Sequence, residues 1–179
     1  MFLTMRQLLL ALLFAASGSA SAQLDMQEHS LLDGRVAISM PAELQPMSEE
    51  LMLAKYSAAR KPTVAYSDEK AAVSVALSHM DAPLTPEQIP QAYDMLKQSM
   101  ETTYPTARWN RSEIVERDGP NHIVFDLWVP AQTGETRNIM AFMVLDGRLL
   151  SINFNAASYL AEEWAAAGER IIESVRVRE

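Results

Sequence analysis

The chain contains no cysteine. That removes disulfide staples, thiolate metal sites, cysteine nucleophiles and thiol redox chemistry together. Histidine is scarce: His29, His79 and His122 are the whole set. None has a second histidine or a carboxylate at helical metal-ligand spacing, so no zinc motif can be written. Six glycines make no phosphate-cradling loop, and no G-x-S-x-G elbow occurs. Bases are outnumbered, with 15 Lys and Arg against 23 Asp and Glu, a net charge of −8. A surplus of that sign argues against nucleic acid and anionic lipid as partners, because both require a basic face. No apolar run approaches the ~20 residues that a membrane-spanning helix requires. A stable membrane anchor is therefore not expected.

What is present begins with a leader. Arg6, the apolar run Leu8 to Ala16, and the small-residue site Ala20-Ser21-Ala22 together read as a secretory signal peptide, residues 1–22, cleaved after Ala22. Loss of Arg6 leaves the remainder one unit more acidic. The exported chain is expected in the periplasm or beyond. Residues 23–30 ("QLDMQEHS") are polar and aperiodic and read as a flexible leader, and residues 31–179 as a single domain.

Strand and helix signals then alternate. "DGRVAISMP" (33–41) has period-2 alternation ended by Pro41. Residues 46–56 read as a short helix with Ser48 as N-cap. Residues 62–66 and 71–80 read as a hairpin around "SDEK". Residues 84–104 carry a capping box in Thr85 and Gln88, Pro86 at the first helical position, and an apolar face of Ile89, Ala92, Tyr93, Leu96, Met100 and Tyr104. Pro90 is expected to divide a short first turn from the main helix. Strands follow at 112–116 and 122–129, then a loop "PAQTGE" (130–135), a hairpin over 137–156, and a helix over 158–175 capped by Ser158. Gly168 in that helix suggests a close backbone approach to the sheet. The order predicts an α+β domain: an antiparallel sheet of about six to seven strands, flanked by helices on both faces as an α/β/α sandwich, with the first strand joining that sheet.

The last hairpin can be registered. Asp146-Gly147 between apolar runs is a two-residue turn signal. Leu145 then opposes Arg148, Met143 opposes Leu150, Ala141 opposes Ile152 and Ile139 opposes Phe154, giving one apolar face. The other face pairs Phe142 with Ser151, Met140 with Asn153 and Asn138 with Asn155. The "PAQTGE" loop does not fix the register of the strand before it, and a one-residue slip exchanges the faces. Burial of Ile123, Phe125, Leu127 and Val129 on the apolar face, each worth ~1.5–3 kcal/mol, favours placing His122, Val124, Asp126 and Trp128 with the amides. The predicted binding residues are accordingly Asp126, Asn138, Asn155, Asn153, Ser151, His122 and Trp128, with Asp126, Asn138 and Asn155 in a row across three strands. That polar face meets water, a cleft under a helix, or amides that satisfy one another. No catalytic or metal residues and no cofactor are assigned. His122 and Asp126, four residues apart on one strand face, are separated by ~13 Å and do not form a pair.

The segments "DGRVAISMP", "LDGRLLSINFNA" and "AGERIIESVRV", in this order of elements, resemble the PsbP-like and DcrB-like α/β/α sandwich family over most of residues 31–177. The resemblance implies a small, exported, non-enzymatic accessory protein that binds other proteins. It transfers no binding site. The leading expectation is a binding or accessory module holding a protein segment or small ligand on the mixed sheet face. The alternatives are a hydrolase-like enzyme using His122 or His79, and a structural envelope component without a ligand.

Overall fold

The computed structural model describes residues 24–117, 119–131 and 134–178. The signal-peptide reading of residues 1–22 lies outside them. Seven strands form one antiparallel sheet: β3 (Gln45–Pro46), β4 (Val64–Ser67), β5 (Val73–Pro83), β6 (Arg108–Arg117), β7 (Gly119–Ala131), β8 (Gly134–Leu145) and β9 (Arg148–Ala157). Their spatial order is β3-β4-β5-β9-β8-β7-β6, which puts β9 in the middle. A second, three-stranded sheet holds β1 (Met26–Leu31), β2 (Val36–Pro41) and β10 (Arg176–Val177), with β2 central.

Helices cover both faces, as the element order predicts. α1 (Glu49–Lys55) and α2 (Ile89–Thr103) lie on one face, and α3 (Ala165–Ser174) lies on the other. We call the α3 side face A. Val73, Val75, Leu77, Ile139, Ala141, Leu150, Ile152 and Phe154 are buried there against Val36, Ile38, Met40, Trp164 and Ile171. The small sheet thus shares this face with α3. On face B, α2 covers one half of the sheet, packing Ile89, Ala92 and Leu96 on Ile123, Phe125, Leu127, Met140 and Phe142. α1 covers the other half through Leu51, Met52 and Tyr56 on Ala65 and Ala76.

Local chemistry explains the boundaries. Ser48 Oγ accepts from Leu51 N at 3.2 Å and caps α1. Thr85 and Gln88 complete a capping box, with Thr85 N donating to Gln88 Oε1 at 2.9 Å. The turn they start, Pro86–Gln88, is a 3-10 turn that gives way to α2 at Ile89, just before Pro90. Asp146 and Gly147 take φ of 51° and 70°, the left-handed pair a two-residue hairpin turn requires. The register of β8 on β9 is the predicted one, including Asn138 opposite Asn155. Gly168 permits the close approach of α3, since a Cβ there would lie 2.5 Å from the Phe154 ring.

Four expectations fail. The polar stretch 23–30 is no loose leader: β1 pairs with β2 from Met26 opposite Pro41 to Leu31 opposite Val36. Its exposed side chains, Gln27, Glu28 and Ser30, fall on both sides of the strand, so no alternation marks it. The first strand does not join the main sheet, because β2 is buried on both sides and serves as the centre of the small sheet. The last helix starts at Ala165, not Ser158. Ser158 N donates to Glu135 O at 2.9 Å, and turns through 164 set Trp164 in the core before the helix begins.

The fourth failure concerns β7. Ala131 pairs with Gly134, so only two residues separate β7 from β8, and the ladder places Asp126 opposite Ile139 and Leu127 opposite Asn138. Ile123, Phe125 and Leu127 therefore lie on face B with the amides, and Asp126 projects from face A. The burial argument could not choose between registers because α2 buries face B too.

Candidate functional site

The predicted row of Asp126, Asn138 and Asn155 does not form. His122, Asp126 and Trp128 belong to face A, whereas Asn138, Ser151, Asn153 and Asn155 belong to face B.

On face A the polar groups hold the structure together. Asp126 is 3% exposed. Arg137 donates to both its oxygens, Nη2 to Oδ2 at 2.7 Å and Nε to Oδ1 at 3.1 Å. Asn110 adds a third donor at 3.2 Å. It is the extra residue in a bulge of β6, between Trp109 opposite Leu127 and Arg111 opposite Asp126. Arg137 Nη2 also donates to Glu169 of α3 at 2.8 Å, and Arg111 stands 3.7 Å from the other oxygen of Glu169. The hydrogen bonds to Asp126 hold the Arg137 pKa above its ordinary value against the opposing effect of burial. Trp128 packs at the core margin, with the Arg108 guanidinium 5.4 Å from its ring centre. His122 is buried opposite Val115. These residues fasten β6, β7, β8 and α3 to one another.

Face B is different. Along β9 the face-A residues from Leu150 to Ala156 are buried, while Leu149, Ser151, Asn153 and Asn155 are each partly exposed. On β8, Asn138, Met140 and Phe142 are buried, and so are Ser74 and Ala76 on β5. The middle strand of the sheet is thus open on one side between covered neighbours. This strip, here called the furrow, lies between the parts of the sheet covered by α1 and by α2 and runs about 20 Å from Leu149 to Asn155 at strand rise.

Its floor is a polar chain. Asn138 Oδ1 accepts from Asn155 Nδ2 at 2.9 Å and from Asn153 Nδ2 at 3.4 Å, and Asn138 Nδ2 donates to Thr136 O at 3.2 Å. Asn153 Oδ1 has no partner among the described residues. At the Asn155 end stands Lys55, from the last turn of α1. Its Nζ donates to Ala71 O and Ser74 Oγ, both at 2.8 Å, and to Asn155 Oδ1 at 3.2 Å. Burial lowers its pKa to about 8, opposed by the charge of Asp68. Tyr56 beside it has its pKa raised by burial, opposed by a hydrogen bond with Ser74. Lys55 was not among the predicted residues. Its place on the sheet-facing side of α1, one position before Tyr56 and four after Leu51, was the available signal.

His79 Nε2 lies 3.0 Å from the carbonyl oxygen of Leu145. Among the described residues no cluster of histidines and acids is placed to hold a metal. A separate cavity of about 570 Å³ at the β8–β9 turn is walled by Leu84, Pro86, Val144, Leu145 and Val177. Its one acid, Asp146, is paired with Arg35.

No protein-family model matches the chain, and no curated protein matches it in sequence. Solved structures do match. The solution structure of cyanobacterial PsbP (CyanoP) from Synechocystis sp. PCC 6803 has a TM-score of 0.62 at 11% identity, over 92% of this chain and 99% of that one. LpqN of Mycobacterium tuberculosis, involved in cell envelope biogenesis, has a TM-score of 0.50 at 12% identity, over 86% of this chain and 92% of its own. A crystal structure from Bacteroides thetaiotaomicron VPI-5482 has a TM-score of 0.52 at 8% identity, over 85% of this chain and 48% of that one. At such identities the likeness is one of architecture, and it agrees with the two antiparallel sheets and three helices described above. The chain folds as a PsbP-like α/β/α sandwich.

Proposed function

We propose that the protein is an exported, non-enzymatic binding module whose ligand, a protein segment or small molecule, lies in the furrow over β9. One observation carries this reading: Ser151, Asn153 and Asn155 of the central strand are partly exposed on face B, while Ser74 and Ala76 on one side and Asn138, Met140 and Phe142 on the other are buried there. Where helices cover both faces of a sheet a middle strand is ordinarily buried, and an amide-floored strip beside apolar neighbours is the mixture that ligand sites use. Asn138, Asn153, Asn155 and Ser151 remain the binding residues, joined by Lys55. Asp126, His122 and Trp128 leave the set. Export rests on the leader sequence, and among the described residues no helix is long and apolar enough to cross a membrane. The non-enzymatic reading is supported by His79, which meets a backbone carbonyl and not a carboxylate, and by the burial of His122 on face A.

Site-specific photocross-linking in intact cells tests the proposal. A photoreactive residue at 151 should give a discrete adduct, seen on a gel for a protein or as a mass increment for a small molecule. The same probe at exposed position 113, on face A, should not. Adducts alike at both positions, or none at 151, would contradict it.

A further inference from the structure

Lys55 closes one end of the furrow, and its electrostatic situation is incomplete. All three hydrogen bonds of its ammonium go to uncharged oxygens, and no ion pair joins it to an acid among the described residues. Asp68, the acid that acts on it through space, already accepts from Val73 N at 2.8 Å. The other titratable neighbour, Tyr56, is neutral at ordinary pH. A half-buried cation whose one charged neighbour makes no ion pair with it, in a chain of net charge −8, is a ready partner for an incoming anion.

The furrow is also blocked at this point. Ala71 lies at φ 52° in the turn that precedes β5, and it packs against the same small cluster, Met47, Ala65 and Ala76, as Leu51, Met52 and Tyr56 of α1. Its carbonyl sits on Lys55 Nζ. The turn and the end of α1 thereby meet just beyond Asn155, which itself stays partly exposed. A chain entering from the Leu149 end and running along β9 has to stop there.

We propose that this closed end is a carboxylate subsite, which takes the free C-terminal carboxylate of an extended peptide lying along β9. The inference rests on the furrow being the binding site. The carboxylate replaces Asn155 Oδ1, the most distant of the three acceptors at 3.2 Å, and so gives Lys55 a directly bonded anion. Upstream peptide groups run over the partly exposed Asn153 and Ser151. Recognition of a chain end by a fixed cation in a blocked groove distinguishes it from an internal acidic side chain, whose flanking backbone would collide with the closure.

The test uses immobilised protein, residues 23–179, and two randomised pools of N-acetylated hexapeptides, one with free C-termini and one amidated. Retained peptides are identified by mass spectrometry. The wild type should retain the free-acid pool about tenfold over the amidated pool, as loss of one charge-assisted hydrogen bond implies. Lys55→Met should abolish that preference. The wild-type comparison needs no variant, so it stands even if Lys55→Met folds poorly. Equal retention of the two pools overturns the carboxylate subsite and leaves the furrow reading intact. Amidated peptides held only through internal Asp or Glu overturn the choice of a chain end. Acid preference that survives in Lys55→Met overturns Lys55 as the anchor. Retention of neither pool, together with no cross-link at position 151, overturns both readings.

Discussion

Lys55 shows how one side chain can record both a cost and a use. An ammonium drawn out of water loses hydration that uncharged oxygens only partly replace, and its pKa falls from 10.5 to about 8 in consequence. Between those two values the unfolded chain holds a proton that the folded chain has released. Folding therefore becomes more favourable as pH rises through that window, and the full cost of the buried charge is present below pH 8. Between pH 8 and 10 the wild type should gain about 2 kcal/mol relative to Lys55→Met, read from denaturant unfolding at matched pH. Parallel curves for the two proteins would show that the amine is not desolvated. Asn153 and Asn155 belong to the same scale. Their alternation with Leu150, Ile152 and Phe154 is plain in the sequence, and so is their pairing with Met140 and Asn138. Lys55 could not be read in the same way, because nothing local says where a seven-residue helix will land on a sheet.

Among the elements, α3 depends on an absence. Gly168 sits where a β-carbon would meet the Phe154 ring at 2.5 Å and 2.6 Å, and Phe154 is wholly buried in the middle strand. Neither the ring nor the helix has free space to yield. Gly168→Ala should cost about 1–3 kcal/mol despite the better helix propensity of alanine, measurable as a lower denaturation midpoint. A neutral or stabilising result would mean that α3 rides higher over the sheet. Elements with local signals were legible in advance: the Thr85–Gln88 box, the Ser48 cap, the Asp146-Gly147 turn and Gly168 itself. The elements that were misread depend on remote partners. β1 is a strand because β2 offers it an edge, and the residues from Ser158 to Trp164 turn where a regular helix would not set Trp164 in the core. The register of β7 failed for a related reason. Once α2 and α3 bury both faces, apolar content no longer tells them apart.

At the level of the whole molecule, the two faces of the sheet divide the work. Face A binds the layers together, and the cluster of Asp126, Arg137, Glu169 and Arg111 does for the β6–β8 half what apolar contacts do for the rest. Asp126→Ala leaves Arg137 with only the partly exposed Glu169. It should lower stability by about 3 kcal/mol, whereas Asp126→Leu combined with Arg137→Met should recover most of the loss. Both follow from chemical denaturation, and both variants should keep the cross-link at position 151. A single and double variant of equal stability would contradict the assignment of this cluster to the framework.

Because β9 is paired with β5 along one edge and with β8 along the other from Leu150 to Ala156, its main chain there has nothing left to offer a visitor. A guest in the furrow cannot be recruited as an extra strand. It must be judged by four projecting side chains and one amine, so selectivity there can be retuned one residue at a time without disturbing a single rung of the sheet.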